Sequence, residues 1–152
     1  MWLDFKLNHR NRLLLAVCYQ PLNSTAADRL LFRMCCSNEM NDYMSDASTT
    51  ILFAGGFNDH SMGKPFQQQT ELFYLFNMFN FHQVIHSPTR CANILSWLVI
   101  NNFRLVINSD VLPPWGNLGH SPRIFLEVNL NICTHFCSFI KCWDILEPTS
   151  RN

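Results

Sequence analysis

Short apolar runs bounded by turn-forming residues recur along the chain, and each predicts a β-strand. Turn residues at 8–11 separate the first two runs and predict a hairpin between them. The run over 49–54 is β-branched and apolar on both faces, which is typical of a buried strand, and it ends at Gly55 and Gly56. The strands are expected at 2–7, 12–19, 49–54, 84–85, 94–101, 105–109 and 124–130.

Two further segments carry apolar residues at helical spacing. The first begins with Ser24 or Thr25 as N-cap, presents Leu30, Leu31 and Met34 on one face, and is expected to give way to a polar connection around 36–48. The second covers 70–81, with Thr70 as a possible cap and a Phe-rich stripe typical of a core. Strands mixed with about two helices predict an α/β fold.

The composition is unusual in one respect, because few of the residues are charged. Of 152 residues, 48% are hydrophobic and only 14% are charged, against roughly 25% in ordinary soluble domains. The formal net charge is zero, so little repulsion opposes self-association through exposed apolar surface. The basic residues are scattered, which argues against an independent nucleic-acid binder.

No targeting signal or membrane span is visible in the sequence. A bilayer span needs roughly 18 apolar residues in a row, and no run reaches that length. The cysteines are odd in number, seven, and form no C-x-x-C pair, so we expect reduced thiols. The Cys133-x-His135-x-Cys137 segment with Cys142 lacks a second zinc knuckle, and no metal site is expected there. These features predict an intracellular protein, cytoplasmic or nuclear, without a membrane partner.

Five short motifs follow one another in a fixed order, and their order is more specific than any one of them. They are YQPLNS at Tyr19–Ser24, ILFAGGFNDH at 51–60, SPTR at 87–90, NILSWLVINN at 93–102 and VLPPWGNLGHSP at 111–122. Together they resemble the endonuclease/exonuclease/phosphatase family, most closely the endonuclease domain of LINE-type, Jockey-like non-LTR retrotransposons. That family reads Y-R-P-P-N-S, G-D-F-N, P-T-R, L-L-D-L-V and P-P-x-x-N-L-D-H-x-P.

The resemblance implies a Mg²⁺-dependent DNA endonuclease as parent, and it also shows what this chain lacks. Where the family has three catalytic Asp residues, this sequence has Gly56, Ser96 and Gly119. Magnesium takes oxygen ligands, usually carboxylates, so the resemblance implies no metal cofactor here and weak or absent DNA binding. Two neighbouring acids, Asp59 and Asp110, are expected to lie elsewhere.

The catalytic remnants that match the family are Tyr19, Asn23, Asn58 and His120. In the family, Asn58 would help to orient the attacking water or the scissile phosphate, and His120 would be the active-site histidine. Without an acid at position 96, His120 loses the partner that would fix its tautomer. We expect Tyr19, Asn58 and His120 to gather at one end of the sheet.

The resemblance runs from about 12 to 130 and corresponds to the C-terminal half of the family's domain. It therefore implies a partial two-sheet, four-layer α/β sandwich over 1–131, a truncated domain with an exposed apolar patch, and an unassigned tail over 132–152. The first hypothesis is an inactive fragment of the endonuclease. The alternative is a non-catalytic nucleic-acid- or protein-binding module on the same fold, and the third is an active nuclease that uses other metal ligands.

Overall fold

The computed structural model describes residues 1–7, 11–44, 46–59, 70–89, 93–113 and 123–130. These residues form two sheets and two helices, which confirms the predicted α/β class. The elements are β1 (Trp2–Lys6), β2 (Arg12–Tyr19), α1 (Ala26–Tyr43), β3 (Thr49–Gly56), α2 (Glu71–Met78), β4 (His82–Gln83), β5 (Ser96–Ile100), a 3₁₀ turn (Phe103–Leu105), β6 (Val106–Leu112) and β7 (Arg123–Val128).

The larger sheet has five strands in the order β1-β2-β3-β5-β4. Strands β2 and β3 are parallel, with α1 as the crossover between them, and every other pair in the sheet is antiparallel. The pairing of β1 with β2 confirms the predicted hairpin, whose turn at 8–10 lies outside the described residues. Strands β6 and β7 form a separate antiparallel ribbon.

Successive side chains of a strand point to opposite faces, so the central strands contribute side chains to two hydrophobic cores. One face packs against both helices through the buried residues Leu14, Ala16, Ile51, Phe53, Trp97, Val99, Cys36, Met40, Leu72 and Phe76. The other face packs against the β6–β7 ribbon through Leu13, Leu15, Leu52, Ala54, Leu98, Ile100 and Leu126. The described residues therefore stack as helices, five-stranded sheet and ribbon, with both helices on one face as predicted.

Helix α1 differs from its prediction in both length and buried face. It begins after Thr25, whose hydroxyl accepts from the Asp28 N–H in a capping box, but it continues to Tyr43 through the segment predicted as a connection. Leu30, Leu31 and Met34, the predicted apolar face, are 50%, 62% and 53% exposed. The helix instead buries Cys36 and Met40, which are four positions apart and so share a face.

Smaller corrections concern where elements end. Thr70 caps α2 as predicted, but the helix ends at Met78, and Asn80 shortly after it adopts a positive φ of 56°. The short strand β4 lies at His82–Gln83 instead of 84–85. Strand β3 continues through Gly55 and Gly56. Among the described residues, neither helix is both long and apolar enough to cross a bilayer.

Candidate functional site

Three strand ends meet at one edge of the five-stranded sheet. Tyr19, the last residue of β2, pairs with Gly56, the last residue of β3. Gly56 pairs in turn with Ser96, the first residue of β5. Because β2 and β3 are parallel while β5 runs antiparallel, two carboxyl ends and one amino end share this edge. Three positions of the family motifs therefore lie side by side, and we call this the site edge.

Asn58 lies at the same end of the molecule and joins the strands there. Its side-chain Nδ2 donates to the Gln20 carbonyl at 2.6 Å, and its backbone N–H donates to the Leu95 carbonyl at 3.1 Å. Its φ of 49° is in the left-handed region, which Asn tolerates better than most residues. Asn58 thus ties the exit of β2 to the entrance of β5, and this structural role occupies a hydrogen of its amide.

Asn23 lies in the turn between β2 and α1. The turn is closed by the Pro21 carbonyl, which accepts from the Ser24 N–H at 3.1 Å and from the Ser24 hydroxyl at 2.7 Å. Pro and Ser both suit such a turn, because one fixes φ and the other bonds the local backbone. Asn23 itself is exposed. The motif's proline and serine therefore act as turn residues here.

The two glycines of β3 differ in how much space a side chain would have at their positions. Gly55 has a φ of 153°, and a Cβ on it would lie 1.8 Å from the carbonyl oxygen of Cys18 in β2. No side chain fits in that space, so β2 and β3 approach each other only because this residue is glycine. A Cβ on Gly56 would instead lie 3.3 Å from Cδ2 of Tyr19. The Tyr19 ring thus stands beside the position where the family has an Asp.

Thr89 is a part of the site edge that the sequence reasoning did not single out. Its side chain is buried, at 3% exposure. The hydroxyl accepts from the Leu95 N–H at 2.9 Å and from the Ser96 N–H at 3.0 Å, and its own N–H donates to the Asn93 carbonyl. The threonine of the P-T-R motif therefore fixes the start of β5. The P-T-R motif draws attention to this segment, but a single sequence does not reveal that the Thr89 hydroxyl accepts hydrogen bonds at the start of a strand.

A polar cleft of about 300 Å³ lies next to Gln20, between the N-terminal parts of the two helices. Of the four charged side chains that line it, Arg33, Asp59 and Glu71 are engaged in polar contacts. Arg33 of α1 forms an ion pair with Glu71 of α2, and the Thr70 hydroxyl donates to the Asp59 carboxylate. Asp59 is thus held toward the α2 cap, in keeping with the expectation that it does not replace the missing Asp.

The three strand ends of the site edge carry no carboxylate. Gly56 has no side chain, Ser96 has only a hydroxyl, and the nearby Asn58 has a neutral amide oxygen in place of a carboxylate. Across the part of the chain that the structure describes, no three His, Cys, Asp or Glu side chains converge as a metal group. Asp110 lies on the ribbon strand β6, where its carboxylate accepts from the Val111 N–H.

Two predicted positions, Gly119 and His120, lie outside the described residues, as does the 133–142 cysteine segment. The predicted gathering at the sheet end therefore holds for Tyr19 and Asn58, while the place of His120 stays a prediction.

The chain matches no protein-family model, and no curated protein matches it significantly. The family interpretation therefore depends on the five motifs and on the geometry of the site edge.

Proposed function

We propose that this chain is a non-catalytic remnant of a retrotransposon DNA endonuclease of the endonuclease/exonuclease/phosphatase family, corresponding to the C-terminal half of that domain. One observation carries the proposal. Tyr19, Gly56, Ser96 and Asn58, which the motifs assign to one catalytic centre, occupy a single sheet edge, although Tyr19 and Ser96 are far apart in sequence. The frame of a site is present without its carboxylates.

The layer order supports the same proposal. Helices cover one face of the five-stranded sheet, and the ribbon begins a second sheet on the other face. That order corresponds to three of the layers in the family's four-layer sandwich. The retained motif residues also have structural roles, since Asn58 and Thr89 hold the ends of β2 and β5 in place.

Inactivity follows from the chemistry of phosphodiester hydrolysis. The reaction needs a divalent ion on carboxylates, an oriented water and stabilisation of charge on phosphorus. Neutral groups at positions 56, 96 and 119 do not offset the dehydration of Mg²⁺. Loss of one active-site group often lowers the rate by about 10²–10⁴, and joint losses, though not additive, leave no useful turnover.

The test is a nicking assay on supercoiled plasmid and on duplex DNA with an abasic site, in Mg²⁺ or Mn²⁺. We expect no cleavage above a protein-free blank. The triple variant Gly56→Asp, Ser96→Asp, Gly119→Asp should also be inactive, because the metal-binding Glu from the family's other half has no counterpart in these 152 residues. Metal-dependent nicking by the unmodified chain that disappears in His120→Ala would overturn the proposal.

A non-catalytic protein-binding module on the same fold is the second candidate, and the outer face of α1 favours it. Leu30, Leu31 and Met34 are all at least half exposed there. Sedimentation velocity of the unmodified chain and of Leu31→Lys separates the possibilities. Self-association of the unmodified chain that Leu31→Lys abolishes supports a binding face on α1. If both proteins sediment as monomers at the same rate, the binding face is contradicted.

A further inference from the structure

Two cysteine thiols meet where the end of β2 packs under α1. Cys18 is the penultimate residue of β2, and Cys36 lies in the middle of α1. Their side chains are hydrogen-bonded to each other, and both belong to the helix-side core, where Cys36 is only 5% exposed. Cys18, Cys35 and Cys36 are all free thiols. The pair therefore provides a polar contact between the strand and the helix within an apolar core.

A groove of about 280 Å³ gives solvent access to this pair. Cys18 and Cys36 both line it, together with the aromatic side chains of Trp2 and Phe32. Its wall carries the negative charge of Glu39 and the positive charge of the Met1 N-terminus, so the groove has no single sign of charge that would exclude a small reagent. Cys35, on the adjacent position of the helix, also lines the groove but is exposed, and it offers an internal comparison.

We propose that Cys18 and Cys36 form a thiol pair that reacts with small disulfides and closes into a Cys18–Cys36 disulfide. The Cys18 thiolate attacks one sulfur of the reagent, forms a mixed disulfide and releases one small thiolate. Cys36 then loses its proton to that small thiolate and attacks the Cys18 sulfur, which breaks the bond between Cys18 and the reagent and releases the second small thiolate. In sum, two protein thiols and one small disulfide give one protein disulfide and two small thiols.

The electrostatics assign the two roles. The hydrogen bond from Cys36 lowers the pKa of Cys18, which favours its thiolate, the form that attacks disulfides. The same hydrogen bond, with burial, raises the pKa of Cys36 and keeps it a thiol. Once Cys18 carries the reagent, its hydrogen bond and its thiolate charge no longer raise the pKa of Cys36, and their removal favours attack by Cys36 on the mixed disulfide, while burial still raises this pKa. The proposal is independent of the endonuclease ancestry.

The experiment uses bis(2-hydroxyethyl) disulfide on the folded, reduced chain, followed by acid quenching and peptide mapping by mass spectrometry. We expect the first cross-linked peptides to join Cys18 to Cys36. In Cys36→Ser we expect a mercaptoethanol adduct that stays on Cys18, because nothing resolves it. Cys35→Ser is the matched control, one position along the same helix, and should give the same Cys18–Cys36 link as the unmodified chain.

A second readout separates reactivity from mere exposure. The rate of Cys18 alkylation against pH should have a higher midpoint in Cys36→Ala than in Cys36→Ser, since only the alanine removes the hydrogen-bond donor. Modification of Cys35 ahead of Cys18 in the unmodified chain would overturn the proposal, and this measurement does not depend on the folding of any variant. An unmodified Cys18 in folded Cys36→Ser would overturn it as well.

Discussion

The two faces of the five-stranded sheet are built from different side chains. The helix face is rich in aromatic side chains: the Phe53 ring meets Trp2, Phe76 and Phe81 edge-on, and Phe57 stacks on Trp97 with centroids 5.1 Å apart. The ribbon face is aliphatic, built from leucine, isoleucine, valine and alanine. Aromatic pairs have preferred angles, whereas aliphatic cores of the right volume repack with little loss. The helix face therefore fixes orientation, and the ribbon face mainly supplies burial.

Strand β3 lies between these faces, so the largest expected effect is at Gly55. Its substitution by Ala places a Cβ 1.8 Å from the Cys18 carbonyl oxygen, which pushes β2 and β3 apart and disturbs both cores. We expect Gly55→Ala to abolish cooperative urea unfolding monitored by circular dichroism. Gly56→Ala is the neighbouring control, where only the Tyr19 ring must shift, and should change the free energy of unfolding by less than about 1 kcal/mol. Equal effects of the two substitutions would contradict the close approach at Gly55.

The contrast between the faces is measured by truncating two neighbours on β5. Trp97 faces the helices and Leu98 faces the ribbon, and both are buried. We expect Trp97→Ala to lower the free energy of unfolding by about 3–5 kcal/mol and Leu98→Ala by about 2–4 kcal/mol. Trp97 also loses ring contacts with Phe57 and Phe76 and the Nε1 hydrogen bond to the Ile94 carbonyl. If urea titration shows a larger loss of unfolding free energy for Leu98→Ala than for Trp97→Ala, the aromatic face is not the one that fixes how the layers are oriented.

The smallest expected effect concerns the helix layer alone and depends on pH. Hydrogen bonds from the Thr25 hydroxyl and then from the Thr25 N–H lower the pKa of Asp28. A carboxyl group whose pKa is lowered by folding stabilises the fold at every pH above its ordinary pKa of about 3.9. This contribution disappears as the pH falls through the pKa of the folded state. Asp28→Asn should therefore flatten the loss of thermal stability that follows as pH falls below about 4. Thr25→Ala should act on the same limb, and strictly additive effects in the double variant would argue against the capping box.

Much of the fold could be predicted because its strands are apolar runs with clear ends. Thr49–Gly56 is buried almost throughout, and Thr70 at the start of α2 is a cap that sequence alone identifies. The face of α1 could not be predicted in the same way. Leu30, Leu31 and Met34 are more apolar than their surroundings, but which face is buried depends on where the crossover from β2 to β3 places the helix.

The site edge was predictable in part for a similar reason. Tyr19 and Gly56 end apolar runs, so their meeting follows if those strands are parallel neighbours. The antiparallel direction of β5, which places Ser96 beside them, and the capping of β5 by Thr89 depend on contacts across the sheet. The sequence near β6 and β7 likewise does not show that they form a separate ribbon, because edge and central strands can have the same alternation of apolar and polar residues.

The parallel pairing of β2 with β3 has a consequence for the order of folding. Arg12 pairs with Thr49 only after the chain has passed through all of α1, so the two central strands cannot form by closing a tight turn. The β1–β2 and β6–β7 pairs involve shorter loops and lower closure entropy. The core of the sheet is thus assembled from a distant contact, and we expect the search for that contact to limit the folding rate of the molecule.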